Sequence, residues 1–142
     1  MRDRRIGSLL AATLLSLAIA APTAASTAPV AIDLHVDFAL GETFTASGFC
    51  PSGTAESFGI SQAGNGRATT FHLFKTLTCS DGSGTLTIRV DAAAVFGMSG
   101  TIGGWNVVGG TGDYAGTSGG GKVVGTAFDG GIDDLYTGML RS

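Results

Sequence analysis

Four residues from separate segments carry groups suited to acid–base or hydrogen-bond chemistry: Glu56, His72, Arg89 and Tyr136. Glu56 alternates with Phe58 and Ile60, so an inward-facing strand here would bury its carboxyl among apolar neighbours. That would raise its pKa and suit it to general acid or base work. His72 alternates with Thr70, Phe74 and Thr76, where an imidazole could orient a ligand carbonyl or shuttle a proton. Arg89 shares a face with Thr85 and Thr87, and Tyr136 offers a phenol as a polar handle within apolar surroundings. The four are candidate pocket residues without an assigned catalytic role, and for each the competing reading is an exterior or rim position.

Other constellations weaken in context. Asp33, His35 and Asp37 lie on one face of a strand, and two carboxylates flanking an imidazole could in principle bind a divalent metal. The opposite face, however, supplies an apolar set for an interior, so these three read as a solvated outer face and no metal site is assigned. The run Gly110-Thr111-Gly112-Asp113-Tyr114-Ala115 satisfies a dinucleotide fingerprint on paper, and Gly116 through Lys122 approaches a phosphate-binding loop. Both motifs require a helix whose first amides face the phosphate, whereas Val123-Val124 favours a strand. No serine, histidine and acid set with a nucleophile elbow is recognisable, zinc-ligand spacing is lacking, and no cofactor is expected.

The first residues follow a secretory pattern. Arg2, Arg4 and Arg5 precede an apolar run from Ile6 to Ala21 and then small residues, which predicts a signal peptide over 1–25 and one domain over 26–142. The apolar run is too short for a stable membrane span, which takes roughly 20 residues. Cleavage near Ala25 removes three arginines and Asp3 from the 8 basic and 11 acidic residues, leaving a net charge of about −5. An acidic surface with scattered cations argues against nucleic acid as a partner. Cys50 and Cys79 both fall in the exported portion beside turn signals, so they are expected to pair in an oxidising compartment, extracellular or periplasmic.

The elements that would position these residues are strands. Residues 31–40 alternate strictly, with Ile32, Leu34, Val36, Phe38 and Leu40 opposite Asp33, His35 and Asp37. Further strands are predicted over 43–49, 54–61, 67–79, 85–90, 98–108, 122–128 and 135–141. Cys50-Pro51-Ser52-Gly53, Gly64-Asn65-Gly66 and the Ser80 to Gly84 run supply turns. The three alanines within 91–96 predict a short helical turn. Eight short strands with regular turn signals point to an all-β fold, and closure into a barrel leaves no exposed edge.

Between Val107 and Gly116, with Gly119-Gly120-Gly121 following, the chain resembles the glycine-rich segment of bacterial allene oxide cyclase-like and dirigent-like proteins. The ending Asp134-Leu135-Tyr136-Thr137-Gly138-Met139-Leu140 is similar to the last strand of the bacterial members. The resemblance implies an eight-stranded antiparallel, calycin-like β-barrel with an apolar pocket and, in some relatives, steering of a cyclisation or coupling without a cofactor. It carries over no catalytic residue. Two functions follow as expectations: a secreted barrel that binds a small apolar molecule, or a filled extracellular barrel with a structural or protein-interaction role.

Overall fold

The computed structural model describes residues 25–65, 67–95 and 97–142; residues 1–24 of the expected leader, Gly66 and Phe96 lie outside the described residues. Eight antiparallel strands close into a barrel in chain order: β1 (Thr27–Asp37), β2 (Gly41–Ser47), β3 (Ser52–Asn65), β4 (Ala68–Cys79), β5 (Gly84–Val95), β6 (Gly100–Gly112), β7 (Ser118–Phe128) and β8 (Gly131–Arg141). Closure is made by β1 against β8, with Ile32 opposite Tyr136 and Leu34 opposite Asp134.

Alternation decides what fills the interior. Val30, Ile32, Leu34 and Val36 of β1 are buried, while Asp33 and His35 face solvent. Leu77 of β4, Leu86, Ile88 and Val90 of β5, Trp105 of β6, Val123 of β7 and Tyr136 of β8 complete a waist of buried side chains. Trp105 meets Tyr136 edge-on at 6.3 Å and donates its indole N–H to the Thr137 carbonyl at 3.3 Å. The indole thus has a partner for its one donor, as burial of a tryptophan requires.

The two ends differ. At one, Cys50 and Cys79 form the expected disulfide, with Cα atoms 5.9 Å apart, and Phe49 packs between Phe44 and Tyr114 to plug the barrel. At the other, the β1–β2 connection leaves Phe38 and Leu40 exposed, at 77% and 89%, and Ile60 and Met98 are also exposed. An apolar rim therefore surrounds the unplugged end.

Two local expectations are corrected. The alanine run does not turn helical: Ala92, Ala93 and Ala94 continue β5, paired with Phe71, Thr70 and Thr69 of β4 and with Gly103, Ile102 and Thr101 of β6. Ladders on both sides outweigh a helical preference that is too short to nucleate alone. The glycine-rich stretch is also mostly strand, with β6 reaching Gly112 and β7 starting at Ser118, so the open turn spans only Asp113 to Thr117. Only the length of the connection differs from expectation, since the strand expected at Val123-Val124 does follow it.

Candidate functional site

The inward faces of β2, β3, β4 and β8 each place a polar residue in the half of the barrel nearest the apolar rim. Lys75 of β4 follows Phe71 and Leu73 and precedes Leu77 on the same inward face; its Nζ donates to Glu42 Oε2 of β2 at 2.7 Å and to Ser57 Oγ of β3 at 2.7 Å. Asp134 of β8 sits between Ile132 and Tyr136 on its face, and the Tyr136 hydroxyl donates to Asp134 Oδ2 at 3.2 Å. Lys75, Asp134 and Tyr136 are all buried, and Glu42 nearly so. Burial raises the Asp134 carboxyl above the usual aspartate range, partly offset by the charge of Lys75 and the bond from Tyr136. Burial, followed by the charge of Asp134, likewise raises the Tyr136 phenol, which keeps it a donor throughout the physiological range.

These groups border an interior cavity of about 530 Å³, which lies within the range typical of small-molecule sites. Its walls are predominantly apolar, including Val36, Phe71, Leu73, Val90 and Ile132, and Phe38, Ile60 and Phe128 stand around its mouth. Small residues make the space, among them Ala92 of β5 and Ala127 of β7, and Gly125 lets two of the lining side chains close together. A Cβ at position 125 would lie 2.5 Å from both Asp134 Oδ1 and Thr101 Oγ1, so only glycine lets both oxygens approach there. A wider depression of about 820 Å³ crosses the outer wall past Asp33, His35, Thr43 and Thr54. It runs mainly between outward-facing side chains, and Asp134 borders both it and the interior cavity.

Of the four residues singled out by sequence, only Tyr136 enters the interior. Glu56 is exposed because the inward set of β3 is Gly53, Ala55 and Ser57, and Phe58 is outside with it, stacked on Phe74 at 5.5 Å. A bulge between Phe58 and Ser61, with Gly59 at φ +61°, then reverses the alternation and brings Ile60 to the cavity. His72 and Arg89 lie on the outer wall, where both contact Asp91 Oδ1, His72 Nδ1 at 2.5 Å and Arg89 at 3.0 Å. Glu56, His72 and Arg89 therefore do not join Tyr136 in a common interior pocket.

The strand register also aligns Ser61, His72 and Asp91 across three neighbouring strands. The pattern recurs as Thr43, His35 and Asp133, in which His35 Nδ1 lies 2.6 Å from Asp133 Oδ1. Both rows are on the wet face, where hydroxyl and charged residues are common cross-strand neighbours. Asp37 caps the β1–β2 turn through the amides of Ala39 and Leu40, which hold its carboxyl below the usual range. No group of three or more metal-ligating side chains occurs among the described residues.

Lys75, Glu42 and Asp134 were missed by sequence reasoning, although each carries a readable signal. Each is a charged residue in the register of an inward apolar alternation: Phe71-Leu73-Lys75-Leu77, Glu42-Phe44-Ala46 and Ile132-Asp134-Tyr136.

No known protein family, no curated protein and no solved structure matches this chain. The site must accordingly be read from its own geometry.

Proposed function

We propose that the barrel binds one small, mostly apolar molecule in the cavity at its open end, with the polar part of the ligand reaching Asp134, Tyr136 and Lys75. The observation that carries this reading is the 530 Å³ interior space, walled by aliphatic and aromatic side chains and ending on a small polar cluster. Burying charged groups is unfavourable unless they are paired, so a cluster of three ionisable side chains beside an open apolar cavity suits recognition better than structure alone. The exposed Phe38, Leu40 and Ile60 offer an apolar approach to the mouth.

The export signal expected over 1–25 and the disulfide fit a protein that acts outside the cytoplasm. No helix among the described residues is long and apolar enough to cross a membrane. The outward wall carries charges at Asp33, Glu56, Arg89 and Lys122, which fit an aqueous exterior better than a lipid-facing one. The glycine-rich segment's resemblance to allene oxide cyclase-like and dirigent-like barrels agrees with a ligand-holding role. A cavity of this kind would steer a cyclisation by keeping a reactive chain folded, with Tyr136 or Lys75 as hydrogen-bond donor.

The test is titration with N-phenyl-1-naphthylamine, a neutral apolar fluorophore that brightens on entering a dry pocket. Saturable binding is expected, and Ala92→Trp, which fills the cavity from β5, should abolish it while the circular dichroism spectrum is retained. No saturable binding to the folded protein would favour the alternative of a structural barrel without a ligand.

A further inference from the structure

The polar end of the cavity holds two carboxylates and one ammonium. Lys75 is already committed to Glu42 and Ser57, both at 2.7 Å. Asp134 is only 9% exposed, and among the described residues the one hydrogen bond its carboxylate accepts comes from the neutral Tyr136 hydroxyl, at 3.2 Å on Oδ2. Its other oxygen, Oδ1, faces the position that a side chain at Gly125 would occupy. Thr101 Oγ1 converges on the same point from β6, and since each oxygen is 2.5 Å from it, the two are within 5 Å of each other. Thr101 and Asp134 both line the cavity. Ile132 Cδ1 also lies 2.7 Å from that point, so the missing side chain at Gly125 is what lets these groups close together, and Asp134 and Thr101 present their oxygens from the cavity wall.

We propose, building on the cavity-binding reading, that the ligand is an apolar primary amine whose ammonium is held on the cavity side of Asp134 and Thr101, donating to the Asp134 carboxylate and to Thr101 Oγ1. Two acceptors suit a group with three donors and no acceptor. The ammonium would pair with Asp134 as Lys75 pairs with Glu42, giving two ion pairs and no net charge in the interior. An apolar carboxylate has the opposite chemistry, since it would bring a third anion beside Asp134 and Glu42 with Lys75, the only interior cation among the described residues, already engaged. A neutral alcohol could donate one hydrogen bond but leaves the carboxylate without a counter-charge. The upward shift of Asp134 through burial is what a carboxylate lacking its cation should show.

The experiment displaces N-phenyl-1-naphthylamine from the full-length mature protein at pH 7.5 with three ligands of one chain length: octylamine, octanol and octanoate. Octylamine is expected to bind at least about tenfold more tightly than octanol, the gain of a charge-assisted hydrogen bond in a dry site, and octanoate more weakly than either. Asp134→Asn should remove the preference for the amine while octanol still binds, which also shows that the variant is folded. Gly125→Ala, whose Cβ would displace Asp134 Oδ1 and Thr101 Oγ1, should reduce octylamine binding more than octanol binding. Octanol or octanoate binding as tightly as the amine would overturn the proposal and leave the cavity reading intact, as would an amine preference that survives Asp134→Asn. If the fluorophore itself fails to bind, the cavity reading falls and the amine proposal with it.

Discussion

Lys75 and Glu42 belong to strands that do not pair with each other, yet Lys75 Nζ stands 2.7 Å from Glu42 Oε2 inside the barrel. Ser57 of the intervening β3 takes a second Lys75 proton, so one side chain ties three consecutive strands together beneath the cavity. Removing the cation would strand Glu42 as an uncompensated buried charge. Lys75→Met should therefore cost about 3–5 kcal/mol in urea unfolding, and adding Glu42→Gln should recover most of the loss. A single variant within about 1 kcal/mol of the parent would show that water screens the pair.

Asp134 gives the barrel a pH dependence with a definite sign. Burial raises its folded-state pKa above that of the unfolded chain, so the native state binds its proton more tightly. The charged groups acting on it are Lys75, which opposes the rise, and Glu42 and Asp133, which add to it, while the Tyr136 hydroxyl donates to it. This contribution is fully present below the ordinary aspartate value and is lost as pH rises through the elevated one. Asp134→Asn should flatten that part of the stability profile, measured as urea midpoints from pH 4 to pH 8, and should stabilise the ligand-free protein at the upper end. A profile unchanged by the substitution would place Asp134 in a wetter setting than the geometry indicates.

Tyr136→Phe removes the donor to Asp134 while keeping the ring against Trp105. The expected cost is about 1–3 kcal/mol, for a buried acceptor left short of a partner. Because the carboxyl loses a stabilising bond, the pH at which it titrates should also move upward, which carbon-detected carboxyl NMR would follow.

The Cys50–Cys79 bridge closes a 29-residue separation at the plugged end, away from the cavity. Replacing both with alanine should lower stability by about 3–4 kcal/mol on the chain-entropy account. Fluorophore affinity measured well below the unfolding transition should stay within about twofold of the parent, a range of less than about 1 kcal/mol.

The outer-wall residues should behave in the opposite way. Glu56→Gln and His72→Gln are expected to leave probe affinity unchanged and to alter stability by less than about 1 kcal/mol, as exposed charges do. For His72 the small effect comes from its bond to Asp91, which is the main cause holding that carboxyl below the usual range. That contribution is present at neutral pH and fades as pH falls through the depressed value. A clear loss of probe binding in either variant would move the site to the wall.

Much of this architecture was legible in the chain. The alternation of Ile32, Leu34 and Val36 against Asp33 and His35, the turn residues between strands and the pairing of the two cysteines depend on local periodicity and covalent chemistry, which a linear sequence records directly. The strand count and the antiparallel closed barrel follow from them. The site was legible only in part. Tyr136 stood out for its phenol, whereas Glu56 and His72 were pocket candidates only if their faces turned inward, and Ser57 and Lys75 occupy that side instead. On β4, Phe74 on one face and Phe71, Leu73 and Leu77 on the other leave the inward side undecided until β3 and β5 are in register. On β3, a single extra residue at Gly59 exchanges inside for outside, and a period-two pattern has no means of showing it. The meeting of Lys75 with Glu42, and of Asp134 with Thr101 across Gly125, joins residues 33 or more positions apart. Closure of the barrel brings them together, because strand order, register and the missing Cβ at Gly125 together determine which side chains share its interior.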